Sequence, residues 1–274
     1  MPPAPTSAPL TLLRHRPYRA YFLARSFSEL AYQIAVVAVG WQVYFLTHSA
    51  FALGMVGLVQ FIPTALLTFV AGHAADRYDR THVVQMCQLA QGLAAGFLAW
   101  GSFAGWLSAH EIFAAVAVFG TAIAFESPAS AALMTAAAPE GMLQKATALG
   151  TGGFQLAMIS GPAIGGFAYA VAPGAAYALM TAFWITAAIL FGTMNLARVA
   201  MTREPVTLRG LFAGVGFVRR SPAILGTISL DLFAVLLGGA TALLPIYAHD
   251  ILHTGPWGLG VLRGAPAAGA LVMT

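Results

Sequence analysis

Gly72-His-Ala-Ala-Asp76-Arg77-Tyr-Asp79-Arg80 stands between two long apolar stretches and is the densest cluster of charge in the first two hundred residues. From Leu30 to Ala75 there is no Asp, Glu, Lys or Arg. Thr47-His48-Ser49 divides that run, leaving one apolar segment that ends near residue 46 and a second over 51–72. Crossing a hydrocarbon core of about 30 Å takes roughly 20 helical residues, and each segment is long enough. A charged loop this short between two membrane-length spans fixes an orientation.

Composition points the same way. The chain has 274 residues, 59% hydrophobic and 8% charged, against about 25% charged residues in a typical soluble domain. One soluble core of this length does not hide so much apolar surface. Cys87 is the only cysteine and lies in an apolar run, so neither a disulfide framework nor a CxxC metal site is present. The formal charge of +4 is spread over short loops without neighbouring stacking aromatics, which argues against nucleic acid as a partner. No cleavable signal peptide is read, because the Pro-rich and then basic start leads into an apolar run too long for a signal core.

Apolar runs of membrane length give eight expected spans, at 20–46, 51–72, 82–103, 111–134, 146–171, 175–197, 223–249 and 256 to the end. The fold class is therefore an all-α integral membrane protein. Residues 1–19 form a tail, 20–197 a six-helix bundle, 198–222 a polar linker and 223–274 two helices of a second, incomplete bundle. Within the linker, residues 207–218 carry Leu208, Leu211, Phe212 and Val215 on one face, as a helix lying on a membrane surface does. Arg14, Arg16, Arg19, Arg77, Arg80, Lys145, Arg198, Arg203, Arg209, Arg219 and Arg220 all fall in the tail, the linker and alternate loops, and the opposite loops have no Lys or Arg. By the positive-inside rule the N-terminus and the 72–82 loop are cytoplasmic, in the inner or plasma membrane.

An internal repeat recurs at an offset of 202–203 residues. Glu29-Leu30 matches Asp231-Leu232, and Gly57-Leu58-Val59-Gln60 with Pro63 matches Gly260-Val261-Leu262-Arg263 with Pro266. The seventh and eighth spans thus read as second copies of the first and second. The partner of Gly72 would fall at residue 275, where a second signature loop is expected, so the chain reads as a fragment or a truncated product.

The G-x-x-x-D-R-x-x-R spacing of Gly72, Asp76, Arg77 and Arg80 resembles the loop between helices 2 and 3 of the major facilitator superfamily. Arg19-Ala-Tyr-Phe-Leu-Ala-Arg25, Val39-Gly-Trp41-Gln-Val-Tyr44, Phe125-Glu126-Ser-Pro128 and Leu230-Asp231 resemble its efflux-permease branch, which contains the enterobactin exporter. Gly161-Pro162-Ala-Ile-Gly165-Gly166 resembles the GPxxGG core of the antiporter motif, although Ala148 and Ala157 stand at its upstream Gly positions. Asp79 replaces the usual Gly, Thr81 the usual basic residue, and the fourth span lacks the Arg of many proton-coupled drug antiporters. The resemblance implies the major facilitator fold, two six-helix halves of inverted repeats, of which this chain holds eight helices. It implies a cytoplasmic gate at Gly72, Asp76, Arg77 and Arg80, with Gly72 letting helices approach, Asp76 favouring a helix end, and the arginines binding carboxylates or lipid phosphates. The plainer alternative is that these charges only enforce topology. At Gly161, Pro162, Gly165 and Gly166 a kink and close contact are expected, against an ordinary small-residue packing face.

Glu29, Glu126 and Asp231 each lie some nine residues from the cytoplasmic end of a span, a common depth of about 13 Å. A charge there costs at least about 2.5–3.5 kcal/mol, so such groups line cavities, pair, or hold protons. Arg25 and Glu29 share a face with Gln33, which allows a purely structural ion pair. Glu126 has no cation nearby in sequence and is the candidate proton carrier. Arg263 is either a countercharge for an anionic substrate or the partner of a helix missing from this chain. His249-Asp250-x-x-His253 has helical spacing but lacks further ligands for zinc, and Trp41, Trp100, Trp106 and Trp257 read as interfacial anchors.

Two function classes follow. The favoured one is a secondary transporter exporting an amphipathic small molecule, drug-like or siderophore-like, by proton antiport through alternating access, with an importer as the alternative. Its partners are that substrate, the proton and membrane lipid; no cofactor and no P-loop are read. The other class, a membrane-embedded enzyme, lacks a GxSxG, an HExxH or a His/Ser constellation at one depth.

Overall fold

The computed structural model describes residues 9–194 and 221–273. It is helical throughout, with no strand among the described residues. Helices α1 (Arg16–Thr47), α2 (Ala50–Arg77), α3 (Arg80–Ala104), α4 (Ala109–Ala137), α5 (Leu143–Val171) and α6 (Pro173–Gly192) follow a short 3-10 turn at Pro9–Arg14. All six are long and apolar enough to cross a membrane. Beyond them come α7 (Pro222–Leu237) and α8 (Pro256–Val272). Residues 195–220, including the surface helix expected over 207–218, lie outside the described residues.

Local chemistry sets the helix ends. Asp79, where the family usually has Gly, is the N-cap of α3: its carboxylate accepts from Thr81 N at 2.9 Å and His82 N at 3.4 Å. At the start of α4 the Ser108 amide donates to Glu111 at 2.9 Å, a reciprocal capping box. Arg77 sits in the last turn of α2, where a cation complements the helix dipole.

The seventh span departs from expectation. Instead of one helix over 223–249, α7 gives way to a 3-10 segment at Gly238–Leu243, one α-turn at Leu244–Ile246 and a π-turn at Tyr247–Ile251. Gly238 and Gly239 weaken the helix, and Pro245 removes the N–H that would bond Thr241 O. Thr241 O, within this segment, also accepts from Arg263 Nη2 on α8, at 3.2 Å. Broken helices persist in membranes where such freed groups find protein partners.

Two apolar clusters fill the bundle. One, with Leu12, Tyr18, Tyr21, Ala24, Val84, Ala129 and Leu133, lies toward the basic loops. The other, with Ile34, Trp41, Ala95, Phe119, Tyr177 and Trp184, lies toward the opposite end. Between them along α1, α3 and α4 runs a layer of buried polar side chains: Ser28, Glu29, Gln33, Gln88, Gln91, Glu126 and Ser130. Trp41, expected at an interface, is instead buried at 7% exposure in the cluster away from the basic loops.

Close helix contacts are made at other glycines than Gly72. A Cβ at Gly72 would meet nothing within 4 Å, so the helix approach expected there is absent among the described residues. At Gly120 a Cβ would collide with Gln60 O, which shows how closely α4 lies on α2. Thr64 Oγ1 donates to Gly120 O at 2.9 Å across the same contact.

Candidate functional site

The polar layer opens into a cavity of about 600 Å³ between α1, α2, α3 and α4, lined by Tyr21, Arg25, Glu29, Gln60, Gln91 and Glu126 among others. Arg25 is its centre. Nη1 of Arg25 donates to Glu126 Oε1 at 2.9 Å, and Nη2 lies 3.3 Å from Glu29 Oε2. One guanidinium therefore bridges two carboxylates, from α1 and α4. Glu126 has no cation near it along the chain; the fold supplies one from 101 residues away.

Each carboxylate has further donors. Glu126 Oε1 accepts from Ser28 Oγ at 3.3 Å, and Oε2 from Gln91 Nε2 at 3.1 Å. Gln88 Nε2 donates to Ser28 Oγ at 2.8 Å and so supports the first of these. Glu29 Oε1 accepts from Gln33 Nε2 at 3.0 Å. Glu29 and Glu126 are 7% and 5% exposed, so a charge on either is offset by these partners rather than by bulk water. The Arg25 side chain is 41% exposed and lines the cavity. With one cation against two carboxylates, the cluster carries net charge −1 when both acids are ionised. A proton or a positively charged group entering the cavity relieves that surplus.

The apolar wall completes the site's character. Tyr32, Phe61, Ile123 and Met134 line it alongside the charged groups. Gln60 Nε2 donates to the Tyr32 hydroxyl at 3.1 Å, and the Tyr21 hydroxyl donates to Ser130 O at 3.3 Å. A space with an acidic centre and aromatic walls suits an amphipathic guest.

The glycine motif of α5 touches this network from behind. A Cβ on Gly161 would stand 2.5 Å from Gln33 Cβ, and one on Gly165 3.0 Å from Ile34 Cα. On the other side of α5, Gly166 packs on Pro256 and Trp257 of α8, while a Cβ on Gly260 of α8 would collide with Pro162 O. Gly161, Pro162, Gly165 and Gly166 thus seat α5 between α1 and α8. Small residues allow such approach, and larger ones force the helices apart.

Other expected residues lie elsewhere. Asp231 is exposed on α7 and is not among the residues lining this cavity. The offset repeat predicts its depth, not its surroundings. Arg263 is not among the residues lining this cavity; its guanidinium donates to Thr241 O beside the break in the seventh segment. Arg77 is exposed and Arg80 is half-buried at the start of α3; the side chain of Asp76 lies outside the described residues. Ser28, Gln88 and Gln91 join the site only in the fold, although Gln85, Gln88 and Gln91, three glutamines at three-residue spacing in one apolar span, are a legible signal.

A family model described as transmembrane secretion effector, of the major facilitator type, matches residues 7–274. The chain belongs to that family. Among curated proteins this secretion-effector chain is 30% identical over 261 residues to the multidrug efflux pump Tap of Mycobacterium tuberculosis, covering 87% of this chain and 59% of the relative. Tap of Mycobacterium bovis matches equally. The enterobactin exporter EntS of Shigella dysenteriae is 27% identical over 249 residues, covering 88% of this chain and 58% of the relative. The chain therefore spans a little under three fifths of the length of these relatives. Both are named as transporters, and the family places this chain among multi-pass membrane proteins.

Proposed function

We propose that this protein exports an amphipathic small molecule, drug-like or siderophore-like, in exchange for protons. The observation that carries the reading is the shared guanidinium: Arg25 bridges Glu29 and Glu126 inside a half-apolar cavity at membrane depth. Protonating Glu126 removes a charge from beside Arg25 and loosens the α1–α4 tie. A positively charged or strongly hydrogen-bonding substrate competes for the same carboxylates, so proton and substrate alternate. Residues 20–197 form the N-terminal bundle in this reading and 223–274 the start of a second one, with the basic loops and N-terminus cytoplasmic. Asp76, Arg77 and Arg80 act at the cytoplasmic gate. The efflux-pump relatives favour export over import, and transport over an enzymatic role. Direction is tested by counterflow in everted membrane vesicles. An exporter preloads and exchanges labelled substrate taken from its cytoplasmic face; uptake only from the opposite face would establish the importer.

A further inference from the structure

Two arginines stand at membrane depth, and the fold treats them oppositely. Arg25 meets two carboxylates, at 2.9 and 3.3 Å, which leaves its cluster with a surplus negative charge when both acids are ionised. Arg263, half-buried midway along α8, pairs with no carboxylate among the described residues. Its Nη2 donates to the neutral carbonyl of Thr241 at 3.2 Å, and its buried Nε has no hydrogen-bond partner among the described residues. A guanidinium is always charged, a backbone oxygen does not neutralise it, and a buried N–H without a partner is costly. A charged group inside a span that has no such partner marks a place for one.

Arg263 belongs to the surroundings of the acidic cavity through one side chain. Tyr32 is the titratable group that acts on it electrostatically, and Tyr32 lines the cavity. Gln60, the residue that the 202–203 offset matches to Arg263, donates to the same Tyr32 hydroxyl at 3.1 Å. Two repeat-related side chains, one on α2 and one on α8, thus converge on one tyrosine of α1. Tyr32 is three residues along α1 from Glu29, a rise of about 4.5 Å. Acids, hydroxyl and cation therefore follow one another within a few turns of helix. Backbone contacts hold α8 in this place: a Cβ on Gly264, next to Arg263, would stand 2.8 Å from Ile159 O of α5.

We infer that the guest is a zwitterionic amphiphile, its cationic group at Glu29 and Glu126 and its carboxylate or other anionic group reaching past Tyr32 to Arg263. The inference rests on the exporter reading and narrows it. Charge decides the class. The acid cluster lacks one positive charge and Arg263 lacks one negative charge, so a guest carrying one of each neutralises both ends. A simple cation leaves Arg263 without a counterion, and a simple anion leaves the acids in surplus. Arg263 Nε and the Tyr32 hydroxyl supply directed donors to the anionic group, and charge-assisted hydrogen bonds of this kind are the strong ones. Phe61 and Ile123 offer apolar surface to the body of the guest. An unmet donor also discriminates more sharply than an apolar wall, because an analogue without the acceptor leaves it unpaired.

A matched pair of dyes tests it: a rhodamine methyl ester, which is a cation, and the corresponding free acid, a zwitterion on the same ring system. Fluorescence anisotropy follows the binding of each to the purified protein in lipid nanodiscs. The free acid is expected to bind about fivefold or more tightly than the ester, a preference that one added charge-assisted hydrogen bond supplies. Arg263→Gln brings the two affinities to within about twofold by weakening the free acid, while Arg263→Lys keeps part of the preference. Equal affinity of the two dyes for the native protein, or an undiminished preference in Arg263→Gln, would overturn the zwitterion site and leave the exporter reading in place. Should Arg263→Gln bind neither dye, its lost bond to Thr241 has disturbed the fold and Tyr32→Phe decides: a preference about halved or less supports the site, and the native preference contradicts it. Native protein that binds neither dye would remove the cavity reading itself, and the zwitterion site with it.

Discussion

In the complete protein, replacing Glu126 by Gln is expected to abolish pH-driven efflux while substrate binding, which keeps Glu29 and the cavity wall, stays largely intact. The reason lies in what the substitution keeps. Gln is nearly the same size, and its carbonyl oxygen still accepts from Arg25, Ser28 or Gln91, which contact the native carboxylate at 2.9, 3.3 and 3.1 Å. What is lost is the exchangeable proton and half of the negative charge around Arg25. The cavity wall of Tyr21, Tyr32, Gln60 and Phe61 is untouched, so a guest still finds its apolar and hydrogen-bonding surface. Binding to purified protein and efflux from energised cells measure the two properties separately. Native efflux in the variant would remove Glu126 from the coupling.

Arg25→Ala has the second large effect, on folding as well as on transport. It leaves Glu29 and Glu126 in one polar layer with no cation between them, and charged hydrogen bonds of this kind are worth about 1.5–3 kcal/mol each. Because Arg25 is partly open to the cavity, the loss falls toward the lower end of that range. Adding Glu29→Gln to Arg25→Ala removes one of the two uncompensated acids, so the double variant is less destabilised than Arg25→Ala alone. Coupling of about 0.5–3 kcal/mol is usual between residues in one network. Thermal unfolding of the four proteins in detergent reads that coupling directly. Strictly additive losses would mean that Glu29 does not feel Arg25. Transport stays absent in the double variant, since the bridge itself is gone.

Much of this site is legible in the chain without its structure. Span lengths and the Lys/Arg asymmetry follow from the cost of burying charge and backbone in lipid, so helices α1–α6 are predictable nearly to their ends. The depth of Glu29 and Glu126 follows from helix rise alone. The Arg25–Glu29 pair is visible because it is four residues apart on one helix. The Arg25–Glu126 contact is not, since nothing local signals a partner 101 residues distant. Hydropathy also reads through the break in the seventh span. Gly238, Gly239 and Pro245 mark it, yet all are apolar by composition, and the hydrogen bond from Arg263 to Thr241 O appears only in the fold. Sequence alone offers Arg263 to a substrate, and its described hydrogen bond is to backbone. For Asp231 the sequence gives depth alone, because a repeat fixes register along a helix and leaves open which side faces the cavity. At the 72–80 loop, Asp79 gains a plain role as the cap of α3.

Exchange of protons for substrate through the Arg25-bridged carboxylates is tested most directly in everted vesicles with an acidified lumen and a trapped pH-sensitive dye. Adding an amphipathic fluorescent substrate outside should draw it inward and release lumenal protons, in step and saturably. With Glu126→Gln, neither movement should occur. Saturable substrate entry with no proton release from the native protein would contradict the exchange.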